Sequence, residues 1–127
     1  MITRKSCHNV QTTIERLEAT LGDEGIPMAA SVDHAEAAHL AGLSLRPAQL
    51  LIFGSPRLGT PLMQEQPLAG LDLPLRVLVW EDASGSTWLS YHKPKDIAKR
   101  HGIRDCTAVI ERMTELLDML TTEAVQP

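Results

Sequence analysis

Apolar positions recur along the chain with two periods, and the places where one period gives way to the other set the expected elements. Ile2 to Cys7 reads as a first short strand. Asn9 follows as a helix N-cap, because its side-chain oxygen can accept from a free amide of the first turn. Val10, Ile14, Leu17 and Leu21 then form one apolar stripe, stopped by Gly22 and Gly25 ahead of Pro27. Met28 to Val32 reads as a strand, and Asp33-His34-Ala35-Glu36 has the form of a capping box opening an Ala-rich helix closed by Gly42. Gln49 to Phe53 is a compact apolar run, expected as a buried strand. Ser55 then caps a short helix with Pro56 in its first position.

Leu75 to Glu81 and Thr87 to His92 are rich in β-branched and aromatic residues and flank Asp82-Ala83-Ser84-Gly85-Ser86, which predicts an antiparallel hairpin of open register. Pro94 suits the first turn of a helix ending near Gly102, and Asp105 is the expected cap of a long last helix from Cys106 to about Thr122. Its stripe is Val109, Ile110, Met113, Leu116, Leu117 and Leu120. A hairpin is present and strict strand-helix-strand units are few. The expected fold is therefore α+β: a mainly antiparallel sheet with helices packed on one face, in a single two-layer domain over residues 1–127.

Composition narrows the function classes. At 127 residues, 43% apolar and 22% charged, the chain has the length and make-up of one folded domain. A net charge of −4 offers no positive field for nucleic acid. The local cluster of Lys93, Lys95, Lys99 and Arg100 reads as a solvated helix face. No apolar stretch approaches the ~18 residues that span a bilayer, and no apolar run follows the basic residues of the N-terminus, so no membrane contact and a cytoplasmic location are expected. Cys7 and Cys106 lie far apart without a CxxC partner, as two reduced thiols would.

The ordered run Asp33-His34, Ala37-Ala38, Gly42-Leu43, Leu45, Pro47, Phe53-Gly54, Pro56, Gly59-Thr60, Leu62-Met63, Asp72 to Arg76, Gly85, Trp88 and Tyr91 resembles the family known as domain of unknown function 302. The resemblance spans roughly residues 9–94, with the C-terminal helices at 94–122 outside it. It implies a compact α+β fold and, often, a homodimer, and it implies no activity, substrate or cofactor.

Five features are candidates for chemistry. Gly54, Ser55, Arg57, Gly59 and Thr60 lie where a strand opens a helix, a place whose free amides favour a carboxylate or phosphate. The G-x-x-x-x-G spacing is that of a phosphate loop, but Thr60 and Pro61 replace its Lys and Ser/Thr, which excludes a nucleoside triphosphatase of that type. Asp33 and His34 would be a catalytic acid-base pair if the carboxylate held the imidazole, although capping gives Asp33 a structural task. Five histidines, His8, His34, His39, His92 and His101, form no helical ligand pair, and no metal or other cofactor is expected; Cys7-His8 would meet Cys106 or His101 only if the first strand adjoined the last helices there. Asp72 and Arg76 are placed to border a cleft, and Trp80 and Trp88 to line a ligand pocket, a dimer contact or the core.

These residues lead to a homodimeric binding or accessory module with a small anionic-ligand cleft bordered by Asp33, His34, the Gly54 to Thr60 turn and Tyr91. Two alternatives stand beside it: a small hydrolase or isomerase using Asp33 and His34, and a dimeric scaffold without ligand.

Overall fold

The computed structural model describes residues 1–127, and its elements start where local capping chemistry places them. Strand β1 covers Ile2–Lys5. Asn9 Oδ1 accepts from the Thr12 amide at 2.8 Å and opens helix α1, Val10–Asp23. Strand β2, Met28–Asp33, runs directly into helix α2, His34–Leu40, because the Asp33 carboxylate accepts from the Glu36 amide at 2.9 Å. Strand β3, Ala48–Phe53, leads through Ser55, whose hydroxyl accepts from the Arg57 amide, into helix α3, Pro56–Glu65. A turn of 3-10 helix at Pro67–Leu71, unforeseen in the sequence, precedes strands β4, Leu75–Glu81, and β5, Thr87–Tyr91. Helices α4, Pro94–Arg100, and α5, Thr107–Val125, complete the chain.

The last helix departs from expectation at its start. Asp105 does not cap it, and Cys106 stands at the N-cap with no side-chain bond to the first turn. Instead the amides of Arg104 and Asp105 donate to the Glu65 carboxylate at 2.7 and 3.0 Å, so a residue of α3 secures this corner. Those two amides hold the Glu65 carboxyl below its ordinary value.

All strand pairs are antiparallel, in the order β1-β5-β4-β3-β2. The register aligns Leu51 with Val77, Phe53 with Leu75, and Val79 with Leu89, and these side chains are buried. They meet Leu17 and Leu21 of α1, Leu62 of α3, and Met113, Leu117 and Leu120 of α5 in one apolar cluster. Two tethers fix the last helix, one to its neighbouring helix and one to the sheet. Arg16 of α1 donates to the carbonyls of Glu123 and Ala124 at the end of α5, and Arg4 of β1 reaches Asp118 and Thr121 on the same helix.

The helices cover one face only. Successive side chains of a strand point to opposite faces, so the same register that buries Leu51 and Val77 leaves a second set on the other side. That set runs Ala30–Ile52–Arg76, Val32–Leu50–Leu78–Ser90–Thr3 and Ala48–Trp80–Trp88–Lys5. The expectation of a buried third strand holds for one face: Leu51 and Phe53 are buried against the helices, and Leu50 and Ile52, on the other face, are half-buried. Every residue of β2 is exposed, and α2 buries none.

Candidate functional site

Antiparallel pairing separates the residues that the sequence placed around one cleft. Asp33 pairs with Gln49 and Met28 with Phe53, so Asp33 and His34 lie at one end of β3 while Gly54 and the turn to Thr60 lie at the other. About five residue steps at ~3.3 Å keep the two groups some 16 Å apart along the strand. One cleft bordered by both is therefore not formed. Tyr91 also departs from it. It stands in the row of Ile2 and Val77, buried among the core side chains.

Each half then has local work. The Asp33 carboxylate is held by the Glu36 amide, and His34 is exposed at the surface. A broad hollow at this end is bordered by Asn9, Gln11, Asp33, Glu36 and Gln49, two of them acidic and none cationic, which disfavours an anion. At the other end, a Cβ at Gly54 would meet that of Pro74 at 3.5 Å, so the turn is packed against the loop that enters β4. Gly54, Ser55, Arg57, Gly59 and Thr60 border none of the larger hollows.

The length of α5 decides whether Cys7 and His8 meet Cys106. The Cys7 amide donates to Val125 O and the His8 ring bonds Gln126 O, at the C-terminal end of that helix. Cys106 stands at its N-terminal end, and a 19-residue helix is about 28 Å long, so Cys7 and His8 do not meet Cys106. The Cys106 thiol lies near Pro61 O and Glu65, and burial first, then the carboxylate, pushes its pKa up, away from a reactive thiolate.

The structure brings other residues together. On the uncovered face, Leu50, Leu78 and Trp80 floor a hollow of about 350 Å³, bordered by Met1, Arg76, Ser90, His92 and Tyr91, the one residue of the expected cleft that reaches it. The hairpin register builds it: Trp80 faces Trp88 across the strands, their rings 6.4 Å apart and inclined by 28°. Trp80 Nε1 donates to Ser90 Oγ at 3.0 Å, and Ser90 also shares a hydrogen bond with Thr3. Trp88 Nε1 donates to Asp82, whose carboxyl also receives Ser84 and Ser86 and is held down to about 2, the indole contributing most. Both indoles are thereby fixed in orientation.

Arg76 and His92 end this hollow and border a second, much smaller one of about 20 Å³ with Asp72, Leu75, Ile97 and Leu117. Asp72 is fully engaged elsewhere. Its Oδ1 accepts from Arg100 at 3.0 Å and its Oδ2 bonds the largely buried His101 ring, and these bonds, His101 leading, hold its carboxyl below the ordinary value. Arg76 takes part in none of the ion pairs, and its buried Nε has no hydrogen-bond partner. The sequence pointed to Asp72, Arg76 and the tryptophans, but not to His92 or to the sheet face that gathers them; the period-2 alternation of β4 and β5 was the available signal.

Comparison with known proteins agrees with this architecture. The solved structure described as an uncharacterized conserved protein DUF302 from Bacillus stearothermophilus superposes with a TM-score of 0.85 at 21% identity, over 98% of this chain and 97% of that one. Among curated proteins, "Fluoride-specific ion channel FluC 1" of Brucella suis is 46% identical over 103 residues, which are 81% of this chain and 41% of that protein. "Fluoride-specific ion channel FluC 2" of Brucella melitensis is equally identical over 38% of its length. The chain thus spans about two-fifths of these relatives. With the family model "Domain of unknown function DUF302" matching residues 2–120, the chain belongs to that family.

Proposed function

We propose that this chain is a non-catalytic binding module that takes a small anionic ligand in the hollow on the uncovered sheet face. One observation carries the reading: an apolar, aromatic-floored hollow of ligand-site size ends at a guanidinium that has no carboxylate of its own. Binding is favoured over hydrolysis or isomerisation because Asp33 is engaged in capping, and because the Ser90 hydroxyl on the floor bonds Trp80 and Thr3 instead of a base. The test is a thermal-shift panel of carboxylates, phosphates and sulfate. A ligand at ~100 times its Kd adds about 2.7 kcal/mol, a rise of several degrees in Tm, and Arg76→Ala is expected to abolish it. No rise with any anion would overturn the reading.

A second observation supports action as a homodimer. Helix α2 has seven residues and buries none, while Leu40, Leu43 and Leu45 are 78, 66 and 54% exposed. A helix that short is marginal unless its apolar side is covered. It adjoins β2, an edge strand with free backbone groups, and a second copy meeting this edge about a two-fold axis would cover both at once. Sedimentation at micromolar concentration is expected to give a dimer, and Leu40→Glu with Leu43→Glu a folded monomer whose circular dichroism loses no more than the signal of the seven-residue α2. A monomeric wild type would remove this part.

The Brucella relatives suggest the setting. Their matching region is part of proteins named as fluoride-specific ion channels, and no helix of this chain is long and apolar enough to cross a membrane. An accessory role beside such a protein fits this better than a share in a pore. A cytoplasmic placement, consistent with two free thiols, belongs to the same proposal.

A further inference from the structure

We infer that the ligand class of this hollow is a monocarboxylate with an apolar body, its carboxylate on Arg76 and its body along Trp80, Leu78 and Leu50. The inference rests on the binding reading above and narrows it from anions in general.

The cationic end selects the head group. A guanidinium presents a planar fork that matches a carboxylate. Arg76 rises from β4 beside Ile52 on the uncovered face, with Nε buried and unpartnered. The acidic side chain that borders the same small cavity, Asp72, has one oxygen on Arg100 and the other on His101. Those two contacts also offset the negative charge that would repel an incoming anion. No negative side chain borders the larger hollow. The cavity where Asp72, Arg76 and His92 meet, about 20 Å³, adjoins the larger hollow at Arg76 and has room for a water or for a ligand oxygen on the guanidinium.

The rest of the hollow selects an apolar body. Three of its floor residues are Leu50, Leu78 and Trp80, and the indole NH of Trp80 is already used by Ser90, so the ring offers its apolar surface. A small hydrophilic anion would satisfy Arg76 and leave this floor wet. A carboxylate carrying an aliphatic chain or aromatic ring covers both.

The test uses the protein's two tryptophans, of which Trp80 lines the site. Octanoate and benzoate are titrated against the intact chain beside their neutral counterparts, octanol and benzyl alcohol, with fluorescence and calorimetry as readouts. Saturable binding of the acids is expected, about tenfold or more tighter than the alcohols, and weakened about tenfold or more by Arg76→Gln. Should Arg76→Gln fail to fold, the acid-to-alcohol ratio on the native protein decides alone. Alcohols binding as tightly as acids would overturn the carboxylate assignment while leaving the hollow as a binding site. Displacement of octanoate by equimolar inorganic phosphate would overturn it in favour of phosphate. Silence towards acids and alcohols alike would overturn the inference, and, joined to a silent anion panel, the binding reading with it.

Discussion

Phe53→Ala is expected to lower stability by about 3–5 kcal/mol and Tm by roughly 10–20 °C, the largest effect of any single substitution considered for this protein. Phe53 closes β3, pairs across the sheet with Leu75 and Met28, and is wholly buried in the cluster formed with the helices. Alanine would lose the transfer free energy of the ring and leave a cavity. The neighbouring backbone is held by ladders on both sides of β3, so the space would not collapse. Phe53→Leu, which keeps most of the volume, is expected to cost only about 1 kcal/mol. Urea denaturation of the two variants measures the difference. A loss below ~1 kcal/mol for the alanine variant would mean that this end of the sheet is not packed under the helices as described.

The second large effect is expected at Asp72. Its carboxylate joins the loop before β4 to the end of α4, through a His101 ring that is 10% exposed and an Arg100 that is half exposed. The His101 contact accounts for most of the loss, because the Arg100 arm is screened by water. Asp72→Ala is expected to cost about 2 kcal/mol near neutral pH, the range for a part-buried hydrogen bond to a charged group. The pH dependence follows from the depressed carboxyl. Its contribution is fully present above the unfolded value near 3.8 and is lost as pH falls through the lower folded value. Wild type and variant should thus converge in stability on acidification below about pH 4, and run parallel above it as far as Asp72 is concerned. A difference that persists unchanged to pH 2 would show that the carboxylate's charge plays no part. Since Asp72 also borders the small cavity with Arg76, loss of octanoate binding in Asp72→Asn would show that the bridge positions Arg76.

The sequence by itself determined the local elements, and it did so wherever one side chain acts on its own neighbours. Asn9, Asp33 and Ser55 open helices because each can reach an amide two or three residues ahead, and this holds whatever the chain packs against. The stripe of α5 and the hairpin were legible for the same reason, as was the α+β class that follows from them. At the start of α5 the local rule did not apply: Asp105 makes no cap, and the corner is held by Glu65 of α3, which accepts from the Arg104 and Asp105 amides.

What depended on strand direction and on the choice of covered face was not legible. Asp33 and Gly54 would lie close together had β2 and β3 run parallel; antiparallel pairing sends them to opposite ends. Alternation in β3, β4 and β5 produces two apolar sets, and only the placement of α1, α3 and α5 decides which becomes core. Tyr91 fell on the covered side, and Trp80, Leu78, Leu50 and Arg76 on the open one. Contacts between residues forty to more than a hundred positions apart, such as Glu65 with Asp105 and Arg4 with Asp118, come from register and layer packing, which no short window of sequence contains. The tertiary structure alone therefore placed an unpaired arginine at the end of an apolar hollow.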